Sequence, residues 1–141
     1  MAYALQSARE AARQGEVPVG AALLLPHGEI LSAANTCYST DQPLLHAEFK
    51  VLQQACEQYE REALRQSTLF VTLEPCPMCM GAILHSHLGT LVFGSYNLKW
   101  GAAGTVIDFR AYFPADALKV YGGICETESA ELLASFFKHR R

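Results

Sequence analysis

At 141 residues, 50% of them hydrophobic, the chain is sized for one domain with its own core, and a single domain over residues 1–141 is expected. Its 11 Lys and Arg against 14 Asp and Glu give a formal charge of −3, which excludes a general electrostatic grip on nucleic acid and leaves any such contact to local patches. The opening stretch MAYALQSAREAARQGE is charged by Arg9, so it reads as neither a secretory signal nor a membrane span, and no other stretch is apolar for long enough to span. Five cysteines without such a signal point to a reducing, cytoplasmic compartment, where metal binding or chemistry explains them better than a disulfide framework.

In chain order, Ala4, Leu5, Ala8, Ala11 and Ala12 recur at helical spacing over residues 2–14, and Gly15 stops the pattern. VPVGAALLLPHGEILSAANT reads as two strands joined at Pro26, His27 and Gly28, an antiparallel hairpin. Phe49, Leu52, Ala55 and Cys56 give a second helix from His46 to Tyr59, and a charged stretch from Glu57 to Ser67 reads as a loop. Ser67 to Leu73 is a continuous apolar strand, MCMGAILHSH a short helix and LGTLVFGS a further strand; the helix between the last two strands predicts that they run parallel. A glycine-rich WGAAGTVI leads through YFP to a short strand near LKVYGGI, and ESAELLASFFKHRR closes as an amphipathic helix in which Phe136 and Phe137 read as core or interface. The order predicts an α/β fold with one mixed sheet covered on both faces by helices.

The chemistry concentrates in PCPMC, residues 75–79. Cys76 and Cys79, at i and i+3, share one helix face, so their sulfurs can converge on one ion. Pro77 suits the first helical position. Thiolates there lie beside unbonded N–H groups at the positive end of the helix dipole, which favours the metal-binding form. A redox pair belongs with a thioredoxin-like pattern, and a structural four-cysteine site needs a second close pair, whereas Cys37, Cys56 and Cys125 are scattered.

The most promising third ligand lies in HAE, residues 46–48, which also opens a helix. His46 and Glu48 stand about 200° apart on a regular helix, so both reach one site only if it lies ahead of the helix start. Ligation by His46, Cys76 and Cys79 leaves a fourth zinc position for water, the arrangement of a catalytic site, and gives Glu48 the task of moving that water's proton. A zinc domain kept only for folding would need no such carboxylate.

With HAE and PCPMC, the sequence resembles the zinc-dependent nucleobase deaminases, whose signature is H-x-E followed by P-C-x-x-C. Within them it is similar, over nearly the whole chain, to bacterial tRNA-specific adenosine deaminases: GEVPVGA, Asn35, HAE, TLFVTLEPCPMCMGAILHS, LVFG and GAAGT follow in order. The resemblance implies a cytidine deaminase-like three-layer α/β/α fold with a five-stranded mixed sheet, one zinc ion per subunit on His46, Cys76 and Cys79, and Glu48 as proton shuttle. It implies a homodimer acting on a tRNA anticodon stem-loop, converting the wobble adenosine to inosine by zinc-activated water. An unpaired loop is the cheaper target, because the base must be unstacked. Substrate contacts are expected from Asn35, Ala47, Glu74, Asn97, Lys99 and Trp100, with Arg140 and Arg141 of the terminal KHRR offered to phosphates.

Several of these residues have a plainer reading. Asn35 could be a turn residue, Tyr96 and Trp100 could pack their loop instead of stacking on a nucleotide, and KHRR could be a solvated helix end favoured by the dipole. Three departures from the family stand out: Asn97 replaces an aspartate, the tryptophan is unusual in that loop, and YFPADALKV lacks an N-H-R segment. Together with the acidic charge balance they motivate a runner-up reading, the same zinc chemistry on a free base or nucleotide such as guanine or a cytosine compound.

Overall fold

The computed structural model describes residues 1–113 and 118–138. Its elements are helix α1 (Ala2–Arg13), strands β1 (Gly20–Leu24) and β2 (Ile30–Ala34), helices α2 (Ala47–Gln58) and α3 (Arg61–Arg65), strand β3 (Thr68–Leu73), helix α4 (Pro77–His85), strand β4 (Thr90–Ser95), a 3-10 turn (Phe109–Tyr112), strand β5 (Lys119–Tyr121) and helix α5 (Glu126–Lys138). The five strands lie in the order β2-β1-β3-β4-β5. β1 pairs antiparallel with β2 and with β3, while β3, β4 and β5 run parallel. The expected mixed sheet and the parallel pair split by a helix are both present.

The hairpin closes where Gly28, at φ 92°, lets its N–H reach the Leu25 carbonyl at 2.9 Å; a side chain would strain that left-handed backbone. Helices α1 and α5 cover one face of the sheet, and α2 and α4 the other. Alternation along the strands sends Leu23, Leu69, Val71, Leu91 and Phe93 into a core that also holds Val51, Leu52, Met80 and Ile83. On the opposite face α1 lies so close to β1 that a Cβ on Gly20 would meet the backbone of Ala4 and Ala8. Arg9 of α1 pairs with Glu128 of α5, tying the two helices of that layer.

The stretch expected as loop from Glu57 to Ser67 contains the end of α2 and all of α3. Five residues with one buried anchor, Leu64 at 3% exposure, are too few to show a period in the sequence. In α5, Phe137 is half exposed and stacks edge-on with Phe136. No helix among the described residues is long and apolar enough to cross a membrane.

Candidate active site

The strand directions bring four segments to one edge of the sheet. β1 starts there, and β2, β3 and β4 end there, because Gly20 pairs with Ala34 and Leu73 with Ser95. The turns at Pro26–Gly28 and before β3 and β4 fall on the opposite edge. Two helices then begin at the first edge, α2 after β2 and α4 after β3, each with one of the three metal-donor residues as its capping residue. His46 caps α2 with φ −67° and ψ 149°, and Cys76 caps α4 with φ −74° and ψ 170°, followed by Pro77 as the first helical residue.

His46 Nδ1 lies 3.7 Å from Cys76 Sγ and 3.5 Å from Cys79 Sγ, and the three donor atoms are all within 4.8 Å of one another. Tetrahedral zinc, with Zn–S about 2.3 Å and Zn–N about 2.0 Å, spaces neighbouring ligands by about 3.5 to 3.8 Å. The donor set therefore fits one zinc ion. The Cys79 thiol donates to Cys76, which, against burial, holds the Cys76 thiol down to about 4; the same bond, with burial, pushes Cys79 up. A divalent cation binding this pair would displace thiol protons.

Glu48, in the first turn of α2, is 3% exposed. Its Oε2 is buried with no hydrogen-bond partner. Burial pushes its carboxyl up to about 7, only partly offset by its own N–H and by His46. A buried carboxyl with a vacant oxygen, poised near neutrality beside three metal donors, is equipped to take and return a proton.

His46, Glu48 and Cys76 line a pocket of about 300 Å³, at the small end of ligand sites and large enough for a heteroaromatic base. Val17, Val19, Pro43 and Leu73 give it apolar walls, and Asn35, Glu74 and Asn97 line it from three different segments. Asn35 is buried, with Nδ2 donating to Glu16 Oε2 at 3.2 Å and Oδ1 accepting from the Cys37 thiol at 3.3 Å. Glu74 holds the loop after β4: its Oε1 accepts from Ala103 N and Thr105 N and its Oε2 from Asn97 N, each at 3.1 Å. Asn97 Oδ1 accepts from Lys99 N at 3.2 Å and Trp100 N at 3.0 Å, and its Nδ2 donates to the Glu74 carbonyl. An aspartate oxygen would accept the same two N–H groups.

Of the remaining expected contacts, Ala47, Lys99 and Trp100 fall outside the pocket lining. The Ala47 methyl is packed in the core, and as the first residue of α2 its N–H is among those a helix leaves unbonded internally. The Lys99 ammonium lies 5.8 Å from the Trp100 ring centroid, and Trp100 is 58% exposed. Tyr96 stacks edge-on with Phe93. Arg140 and Arg141 lie outside the described residues. Sequence reasoning missed Glu16, Cys37 and Lys50. Glu16 follows a helix-stopping glycine and reads locally as a solvated turn; Lys50 reaches from α2 to the Ala34 carbonyl at 2.9 Å and Thr36 Oγ1 at 3.1 Å, which fixes the segment joining β2 to α2.

Fold and site together define a zinc-dependent deaminase of the cytidine deaminase-like class. The model of the MafB19-like deaminase family matches residues 1–141. The chain is 38% identical to the tRNA-specific adenosine deaminase of Bacillus subtilis, over all of this chain and 88% of the relative. It is 40% identical to that of Haemophilus influenzae, over all of this chain and 83% of the relative. A solved structure from work on A-to-I editing by tRNA:A34 deaminases superposes with TM-score 0.85 at 38% identity, covering 94% of this chain and 97% of the other. The chain belongs to the MafB19-like deaminases and, by identity along its whole length, to the tRNA-specific adenosine deaminase family.

Proposed function

We propose that this protein hydrolyses the wobble adenosine of a tRNA anticodon to inosine, releasing ammonia. The observation that carries the chemistry is the unpartnered, buried Glu48 Oε2 beside the His46, Cys76 and Cys79 donor set. Full-length identity to tRNA-specific adenosine deaminases supports the substrate. When bound, zinc supplies a Lewis acid that lets water attack at neutral pH. Glu48 takes one proton of the attacking water at Oε2 and delivers it to the ring nitrogen of the base. It then takes the second proton from the same oxygen, now bonded to the purine carbon, and delivers it to the amine, which departs as ammonia as the carbonyl forms. Val17, Val19 and Leu73 exclude bulk water from the base, and Asn35 orients it by hydrogen bonds.

In this reading the exposed Trp100 ring stacks on a loop nucleotide, where such contacts contribute about 1 to 3 kcal/mol, and Lys99, Arg140 and Arg141 meet phosphates. The working unit is a homodimer with one zinc per subunit, acting in the cytoplasm, with residues 1–141 forming one deaminase domain. The test is ammonia and inosine formation by zinc-loaded protein on an anticodon stem-loop with adenosine at the wobble position, beside guanine, adenosine, cytosine, cytidine and dCMP, with Glu48→Ala as control. Turnover on the stem-loop is expected. Turnover restricted to a free base or nucleotide would replace the tRNA reading with the second one, the same chemistry after a change of substrate.

A further inference from the structure

Glu16 is completely buried at the pocket's edge, one residue before Val17. A buried carboxylate is costly unless its oxygens are satisfied, and here they are. Oε2 accepts from Asn35 Nδ2 at 3.2 Å and from Tyr38 N at 3.1 Å, and Oε1 accepts from Ser39 N at 2.5 Å. Although burial pushes its pKa up, the N–H groups of Ser39 and Tyr38, together with the Ser39 and Asn35 side chains, outweigh it and draw the carboxyl below its ordinary range. Glu16 is thus an anion that only accepts.

That fixes its neighbour. An Asn amide can in principle face either way, but facing Glu16 it must present its NH2, and its oxygen then turns to the Cys37 thiol. Of the amide's two N–H groups and two lone pairs, one of each is spent. One N–H and one lone pair remain for whatever enters the pocket.

We propose that Glu16 is a positioning residue: by locking the Asn35 amide in one orientation, it sets the donor and acceptor pattern that the pocket shows to the target base. The inference rests on reading Asn35 as a base contact. It also explains why a charged residue sits in an apolar V-P-V setting, since no neutral side chain of that size offers only acceptors.

The test compares wild type, Glu16→Gln, Asn35→Ala, the double variant and Cys37→Ala, with zinc content and circular dichroism as controls. On whichever substrate the wild type turns over, Glu16→Gln should raise KM about tenfold with kcat changed less than about twofold, the pattern of lost uniform binding. In the Asn35→Ala background it should add nothing, and Cys37→Ala, which leaves the carboxylate in place, should raise KM in the same direction by less. Independently of folding in the variants, the 15N-labelled Asn35 side-chain amide of wild type should show one proton protected from solvent exchange. Unchanged KM in Glu16→Gln, effects of Glu16→Gln and Asn35→Ala that multiply, or an amide exchanging like an exposed asparagine would overturn the proposal. Failure of the tRNA reading shows separately, as wild-type inactivity on the stem-loop.

Discussion

Glu48 and its ligand neighbours could be read from the sequence because metal chemistry imposes short spacings: H-x-E and C-x-x-C each place their groups within a single helical turn. Replacing Glu48 by Gln should leave zinc stoichiometric and the melting temperature close to wild type while turnover falls by at least about 10² to 10⁴, the usual worth of a positioned proton carrier. Activity and metal analysis on one preparation checks this. Cys79→Ala should instead lose zinc by elemental analysis and melt earlier, because the metal's binding energy is also folding energy. Glu16 was not legible, since two of its partners are backbone N–H groups of Tyr38 and Ser39, which leave no side-chain signature, and no local pattern ties it to the third, the distant Asn35 amide. Its carboxyl lies below the ordinary 4.5, so its contribution to stability is full above that pH and is lost as pH falls through the lower, folded value. Thermal melts of wild type and Glu16→Gln from pH 7 to pH 3 should therefore show a gap at neutral pH that closes in acid.

At the scale of elements, the α2 and α4 starts carry most of the site. Each points the positive end of its dipole at the donor cluster, which favours thiolate over thiol. The long helices, the hairpin and the parallel pair followed from periodicity and turn residues, whereas α3 and the 3-10 turn are shorter than any period and depend on tertiary contacts such as that of Leu64. Gly20 shows the converse. Its role is invisible in GEVPVGA, yet α1 could not seat on β1 with a side chain there. Gly20→Ala should cost about 1 to 3 kcal/mol by forcing α1 away from the sheet, measurable by urea unfolding. Because Val19 immediately precedes this contact and Glu16 lies four residues before it, the same variant should also raise KM.

On the molecular scale, a net charge of −3 means that RNA must be held by a few local cations. Neutralising Arg140 and Arg141 should weaken stem-loop binding and lower the slope of log K against log salt by up to about 2; an unchanged slope would leave the tail a solvated end. Sedimentation velocity should give twice the subunit mass if the proposed dimer forms. Everything chemical gathers at one edge of the sheet, and the hairpin at Pro26–Gly28 and the turns before β3 and β4 lie at the other. The molecule consequently has a quiet pole. A fluorophore at position 27, or a second protein spliced into that hairpin, would ride on the enzyme without touching base, metal or proton path, so this is the natural handle for tethering the activity to a chosen strand of nucleic acid.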